Sequence, residues 1–277
     1  MKKVITIGAA LAVLGGGAAA LAAGSFNTYT ATQTFSPSAA GTAAKPSPLA
    51  LTEHWTAHGT NGHPAAPLIK IVAKNYGLKI DSADFKKCTA ATINNAGNSK
   101  GWNKACPGGE NGPALIGKGP VQAEFVNPNP PYNVVGQCDP YLYIYNGGNN
   151  TQVFFFTEYP YAPSQKYNCL GGHVTTGAAP AYPGKVSYSG KTEVLTIPLP
   201  PTVSNNAGGT GLFASLLKLD VTYSKKTAKK NGKTVAYGES VACQSGKRPY
   251  EFDFTAQNFN GQSPHTQTVV VKHTASC

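Results

Sequence analysis

Apolar and polar residues alternate with a period of two over much of this chain. Leu217, Leu219, Val221 and Tyr223 interleave with Lys218, Asp220 and Thr222, while Tyr250, Phe252, Phe254 and Ala256 interleave with Glu251, Asp253, Thr255 and Gln257. Successive side chains of a strand point to opposite faces, so each run predicts a strand with one buried and one wet face. Runs at 141–145 and 151–159 flank Asn146-Gly147-Gly148-Asn149-Asn150, and runs at 185–188 and 193–197 flank Ser189-Gly190-Lys191. Asn and Gly tolerate the positive φ that tight hairpin turns require. Further runs at 49–56, 68–73, 121–126, 234–242 and 266–272 raise the expectation to roughly ten strands at the spacing of a sandwich. One helical turn is expected near 212–216, and the Gly, Pro and Asn of 94–119 and 159–183 predict long loops. The predicted fold is therefore all-β, an antiparallel β-sandwich with long disulfide-stapled loops.

Composition supports that class. Gly (31) and Pro (21) together outnumber the charged residues, 23 Lys plus Arg and 12 Asp plus Glu, which argues against a helical bundle. Past the N-terminus no apolar run is long enough to cross a bilayer. Lys2 and Lys3, the apolar stretch 4–21 and the small-residue triplet Ala20-Leu21-Ala22 have the three-part layout of a secretory signal peptide, assigned to residues 1–22. Residues 23–48, rich in Ala, Ser, Thr and Pro, read as a linker, with an edge strand over 26–35 as the alternative, and 49–277 as one domain.

Export bears on the cysteines. Cys88, Cys106, Cys138, Cys169, Cys243 and Cys277 form an even set without a CxxC pair, which in an oxidising compartment predicts disulfides rather than a metal or redox site. Pairing neighbours along the chain joins Cys88 to Cys106 and Cys243 to Cys277, and leaves Cys138 to Cys169 by elimination.

Charge narrows the partners. The net charge is +11, two units of it from Lys2 and Lys3, and Arg248 is the one arginine. Base and phosphate readers lean on the guanidinium fork, so sequence-specific nucleic-acid binding is not expected. A lysine-rich surface is attracted to an anionic cell-wall polymer or membrane surface. The densest patch is Lys225, Lys226, Lys229, Lys230 and Lys233 around Asn231-Gly232, read either as that contact or as a solvated hairpin tip.

Candidate chemistry is sparse. Gly238-Glu239-Ser240-Val241-Ala242 is one small residue away from a nucleophile elbow, but it runs on as strand into Cys243. His54, His58 and His63 are spaced like metal ligands, yet Gly59, Gly62 and Pro64 break any helix that would align them. Glu251 and Asp253 share a strand face, as a glycosidase pair would, and read as solvated acids. Tyr132, Tyr141, Tyr143, Tyr145, Tyr159, Tyr161 and Tyr167 crowd one third of the chain and serve either as strand packing or as a platform for sugar rings. No catalytic residue, metal ligand or cofactor is assigned.

Cys106-Pro107, followed by Leu115-Ile116-Gly117-Lys118-Gly119-Pro120-Val121, together with Leu195-Thr196-Ile197-Pro198 and the closing Cys243, Phe252, Phe254 and Cys277, resembles a set of exported actinobacterial proteins of uncharacterised activity. The resemblance implies secretion, a β fold and two of the disulfides, and carries over no catalytic residue. Cys138 and Cys169 stand outside its pattern. The expected function is that of a secreted or cell-envelope-associated, non-catalytic protein with a binding or structural role. The alternative is an extracellular carbohydrate-active enzyme or glycan-binding module.

Overall fold

The computed structural model describes residues 26–96, 101–157, 180–205, 211–259 and 265–277. The chain begins with strands β1 (Asn27–Ser36), β2 (Ser47–Pro48), β3 (Ala50–Gly59), β4 (Leu68–Tyr76) and β5 (Leu78–Ile80). Two short helices, α1 (Ala90–Asn94) and α2 (Gly101–Ala105), precede β6 (Leu115–Val126), β7 (Val134–Cys138), β8 (Tyr141–Gly148) and β9 (Thr151–Thr157). The hairpin β10 (Tyr182–Ser189) and β11 (Thr192–Pro198) leads through α3 (Pro201–Ser204) to β12 (Phe213–Tyr223), β13 (Thr227–Lys230), β14 (Lys233–Ala236), β15 (Gly238–Ser240), β16 (Lys247–Gln257) and β17 (Thr266–Ser276).

All pairings are antiparallel, and one hydrogen-bonded path, β1-β3-β12-β6-β8-β9-β10-β11-β4-β16-β17 with β7 on β6, makes a twelve-stranded sheet. Its two end strands meet. The Phe26 N–H donates to Gln267 Oε1 at 2.7 Å, the Gln33 N–H donates to the Tyr250 hydroxyl at 3.1 Å, and the Tyr29 ring stacks on Phe254 at 4.4 Å. The sheet is thus nearly barrel-shaped, and the all-β, antiparallel expectation holds in this coarser form. In place of two layers with separate edges there is one continuous sheet, because strand twist accumulates until the first and last strands face each other.

The inward faces supply one apolar core that includes Trp55, Ile71, Leu142, Phe154, Leu195, Leu219, Phe252 and Phe254. A second core lies on the outer face of β8 and β9, where Trp102 of α2 packs on Tyr143, Tyr145 and Phe155. Both faces of β8 are therefore buried, which is why its sequence reads as a nearly continuous apolar run. The disulfide Cys88–Cys106 ties this helical segment together, and Cys243–Cys277 joins the start of β16 to the end of β17. Cys138 is also disulfide-bonded, while Cys169 lies outside the described residues, as do the proposed signal peptide and Tyr159, Tyr161 and Tyr167.

Four expectations are corrected. The linker reading of 23–48 gives way, over its first half, to the edge strand held as the alternative: β1 buries Asn27, Tyr29, Ala31, Gln33 and Phe35 while the intervening residues face outward. A stretch with so few charges suits a linker and a half-buried strand equally, and only its partner β3 separates the two. Residues 212–216 form no helix but enter β12, which bulges between Leu216 and Lys218, so that Leu216 rather than Leu217 joins the core. The single strand expected at 234–242 is split, with β14 pairing β13 and β15 joining a separate sheet of order β2-β15-β5. The first long loop, expected at 94–119, contains α2 and gives way to β6 at Leu115; α1 precedes it, with the Thr89 hydroxyl capping α1 by accepting from the Thr92 N–H at 3.1 Å.

Candidate functional site

Residues singled out by chemistry are kept apart by the fold. Ser240 is fully buried in β15, and its hydroxyl accepts from Arg248 Nη2 at 2.5 Å, a group that does not act as a base at ordinary pH. His54 pairs through Nδ1 with Asp220, which also accepts from Lys218 at 2.9 Å; burial disfavours the Asp220 carboxylate, but these two partners outweigh it and hold its pKa low. Among the described residues no group of three His, Cys, Asp or Glu is placed to hold a metal.

The lysine patch lies on and just before the hairpin β13–β14, and three of its members are engaged, Lys229 with the Thr234 hydroxyl at 2.8 Å. Lys230 bonds Asp84 at 2.8 Å. Lys226 donates to the Gly112 carbonyl at 3.4 Å, and burial, together with the charge of Lys118, lowers its pKa. Tyr143 and Tyr145 are core residues rather than a platform.

Glu251 and Asp253 are not simply solvated. Both accept from Lys74, at 2.6 and 2.8 Å, and Glu251 also meets Lys272 at 3.0 Å. Burial works against ionisation of Glu251, yet the lysine hydrogen bonds prevail and hold its pKa down to about 2. A carboxyl fixed as its anion is a poor general acid, so Glu251 does not suit the acid half of a glycosidase pair. Val194, Lys74, Glu251 and Lys272 stand directly opposite one another on β11, β4, β16 and β17. With Tyr76, Thr192, Gln244 and Pro249 they line an open outer groove of about 920 Å³.

The sequence reading missed a second polar cluster, inside the sheet. Glu53 of β3 shares its inward face with Leu51 and Trp55, and Glu193 of β11 shares its own with Leu195. The clue was present: each is an acid on the apolar parity of its strand. Directly opposite Glu53 on β1, Gln33 donates Nε2 to Glu53 Oε2 at 3.5 Å; directly opposite Glu193 on β4, Asn75 donates Nδ2 to Glu193 Oε2 at 2.9 Å. Both acids line one chamber with Asn75, Gln152, Tyr223 and Tyr237, roofed by Leu78 and Ile80 of β5 and by Gly238 of β15. Glu53 also lines the apolar cavity next to this chamber.

Burial pushes the Glu53 carboxyl up to about 7, against the Gln33 hydrogen bond. It pushes Glu193 up to about 8, against the Asn75 bond and with the charge of Glu53 adding to the rise. Tyr223 is driven well above its ordinary range, first by burial and then by the two glutamates. The chamber leaves about 40 Å³ for the centres of water-sized molecules. That is room for an ion or two or three waters and far too little for a sugar ring. Two carboxyls do share a pocket here, but no glycoside reaches them. No family model, curated protein or solved structure matches this chain.

Proposed function

We propose that the chain is an extracytoplasmic binding protein without catalytic chemistry, and that its ligand is a hydroxyl-rich polymer or glycan segment held in the outer groove across β11, β4, β16 and β17. The observation that carries this reading is the groove itself, whose volume of about 920 Å³ falls in the range of ligand sites. Its two lysines, Lys74 and Lys272, are compensated by Glu251 and by the neighbouring Asp253, a lining better matched to a neutral ligand than to a polyanion. Tyr76, Val194 and Pro249 offer apolar surface for ring faces, and Thr192, Gln244 and Thr274 offer hydrogen bonds. Export rests on the signal-like residues 1–22, and the disulfides fit an oxidising compartment.

Calorimetric titration of the full chain with neutral cell-wall oligosaccharides tests the reading. Tyr76→Ala is expected to weaken binding at least about tenfold, on the order of 1.4 kcal/mol, with little change in melting temperature. Equal binding by wild type and Tyr76→Ala would place the ligand elsewhere. Lys225, Lys229 and Lys233, which are exposed and form no salt bridge among the described residues, keep the anionic-surface reading as a second one. Binding to anionic vesicles that fades with salt and is lost in the triple Gln variant would favour it.

A further inference from the structure

We propose that the chamber between Glu53 and Glu193 is a binding site for a hard divalent cation of the Ca²⁺ class. The chamber holds an excess of acceptors. Glu53 and Glu193 contribute carboxyl oxygens, and the side-chain N–H groups of Gln33 and Asn75 are already directed at them. That leaves Asn75 Oδ1 and Gln152 Oε1 on the chamber wall, and Gln33 Oε1 beside Glu53, buried with no donor among the described residues, while the Gln152 side chain also meets the Tyr237 hydroxyl. Asn75 is only 4% exposed and Gln152 only 2%, and both line the chamber. Buried polar atoms in folded proteins nearly always find a partner, so a cluster of orphaned oxygens around two acids points to a cation.

The lining decides which cation. Among the described residues no Lys, Arg or His lines the chamber, so they supply no counter-charge there. The donors are all oxygens, carboxyl, amide and phenol, which suits a hard ion and not zinc or copper, whose sites draw on His and Cys. Two carboxylates match a double charge. The carboxyl and amide ligands come from β3, β4, β9 and β11, an irregular set that Ca²⁺ accepts and Mg²⁺, with its strict octahedron and tightly held water, does not. A space of about 40 Å³ admits the ion with one or two waters and excludes organic amines of any length. Binding displaces the protons that burial otherwise retains on the two acids.

Terbium, a luminescent substitute for Ca²⁺, provides the test, because Tyr223 and Tyr237 line the chamber and sensitise an ion held beside them. The full chain is titrated with Tb³⁺ under tyrosine excitation and then with Ca²⁺ across about 0.1–10 mM, a span that includes extracellular Ca²⁺ modules. Saturable emission displaced by Ca²⁺, and weakened at least tenfold in Glu53→Gln/Glu193→Gln, is the expected result. The melting temperature of the wild type should also rise in CaCl₂ relative to tetramethylammonium chloride at equal ionic strength, and that of the variant should not. Equal emission and equal melting shifts in both proteins would mean surface binding only and overturn the proposal, as would no saturable emission in the wild type. Should the double variant fail to fold, anomalous diffraction from wild-type crystals grown with Tb³⁺ decides the matter: a peak between Glu53 and Glu193 supports the site, and peaks confined to the surface refute it.

Discussion

Replacing Phe254 by Ala removes a ring with no exposed surface. That ring stacks on Tyr29 at 4.4 Å and on Phe252 at 5.7 Å, and lies 5.5 Å from Trp55. Loss of a buried Phe costs about 3–5 kcal/mol through lost transfer energy and the cavity left behind, a large share of the roughly 5–15 kcal/mol of a typical domain. At about 2–4 °C per kcal/mol for a domain of this size, the melting temperature should fall by roughly 6–20 °C. Tyr29 belongs to β1 and Phe254 to β16, which lie near opposite ends of the strand order, so their contact exists only if the sheet rolls up. A double-mutant cycle with Tyr29→Leu and Phe254→Leu, read from guanidinium unfolding with disulfides intact, should give a coupling of about 0.5–1.5 kcal/mol. The denaturant slope should stay constant across the cycle. A melting shift below about 2 °C for Phe254→Ala would refute the packing. Zero coupling beside a large single-mutant effect would refute the closure of the sheet while leaving the strand itself intact.

Glu251→Gln should cost on the order of 1–3 kcal/mol at neutral pH. Because the folded-state pKa of Glu251 is depressed from 4.5 to about 2, its contribution is present above about pH 4.5 and is lost as pH falls towards 2; unfolding curves of the two proteins that fail to converge at acid pH would contradict this. The interior acids act in the opposite sense. With folded-state pKa values raised to about 7 and about 8, they favour the folded state at low pH, and in chelator the stability should decline as pH rises from about 4.5 to about 8. Glu193→Gln should flatten that decline, and an unchanged slope between about pH 5 and pH 8.5 in a denaturation series would show that the pair is not buried together. Gly119→Ala should destabilise by about 1–3 kcal/mol, since a Cβ there would sit 1.7 Å from the Asp220 carbonyl oxygen; an unaltered unfolding midpoint would show that β6 and β12 pack less closely.

Several features were legible along the chain because they depend on neighbours in sequence. Alternation at 250–257 located β16 and assigned Phe252 and Phe254 to its inward face. Asn231-Gly232 marked the β13–β14 turn, where both residues have positive φ, and chain-adjacent pairing identified Cys88–Cys106 and Cys243–Cys277. Period-two patterning says which side of a strand is buried but not what it is buried against, and from this the remaining differences follow. Residues 27–36 carry the same Thr, Tyr and Phe alternation whether they dangle or pair, and only β3 and the approach of β16 and β17 make them a strand. One rolled sheet and two stacked sheets share an alternation pattern, so the closure of Tyr29 onto Phe254 was decided in three dimensions. Glu251 and Asp253 read as solvated acids because Lys74 lies 177 and 179 residues away in sequence. Glu53 and Glu193 were visible singly as acids on apolar parities, but 140 residues separate them. Their meeting in one chamber, where burial rather than sequence sets their protonation, exists only in the folded sheet.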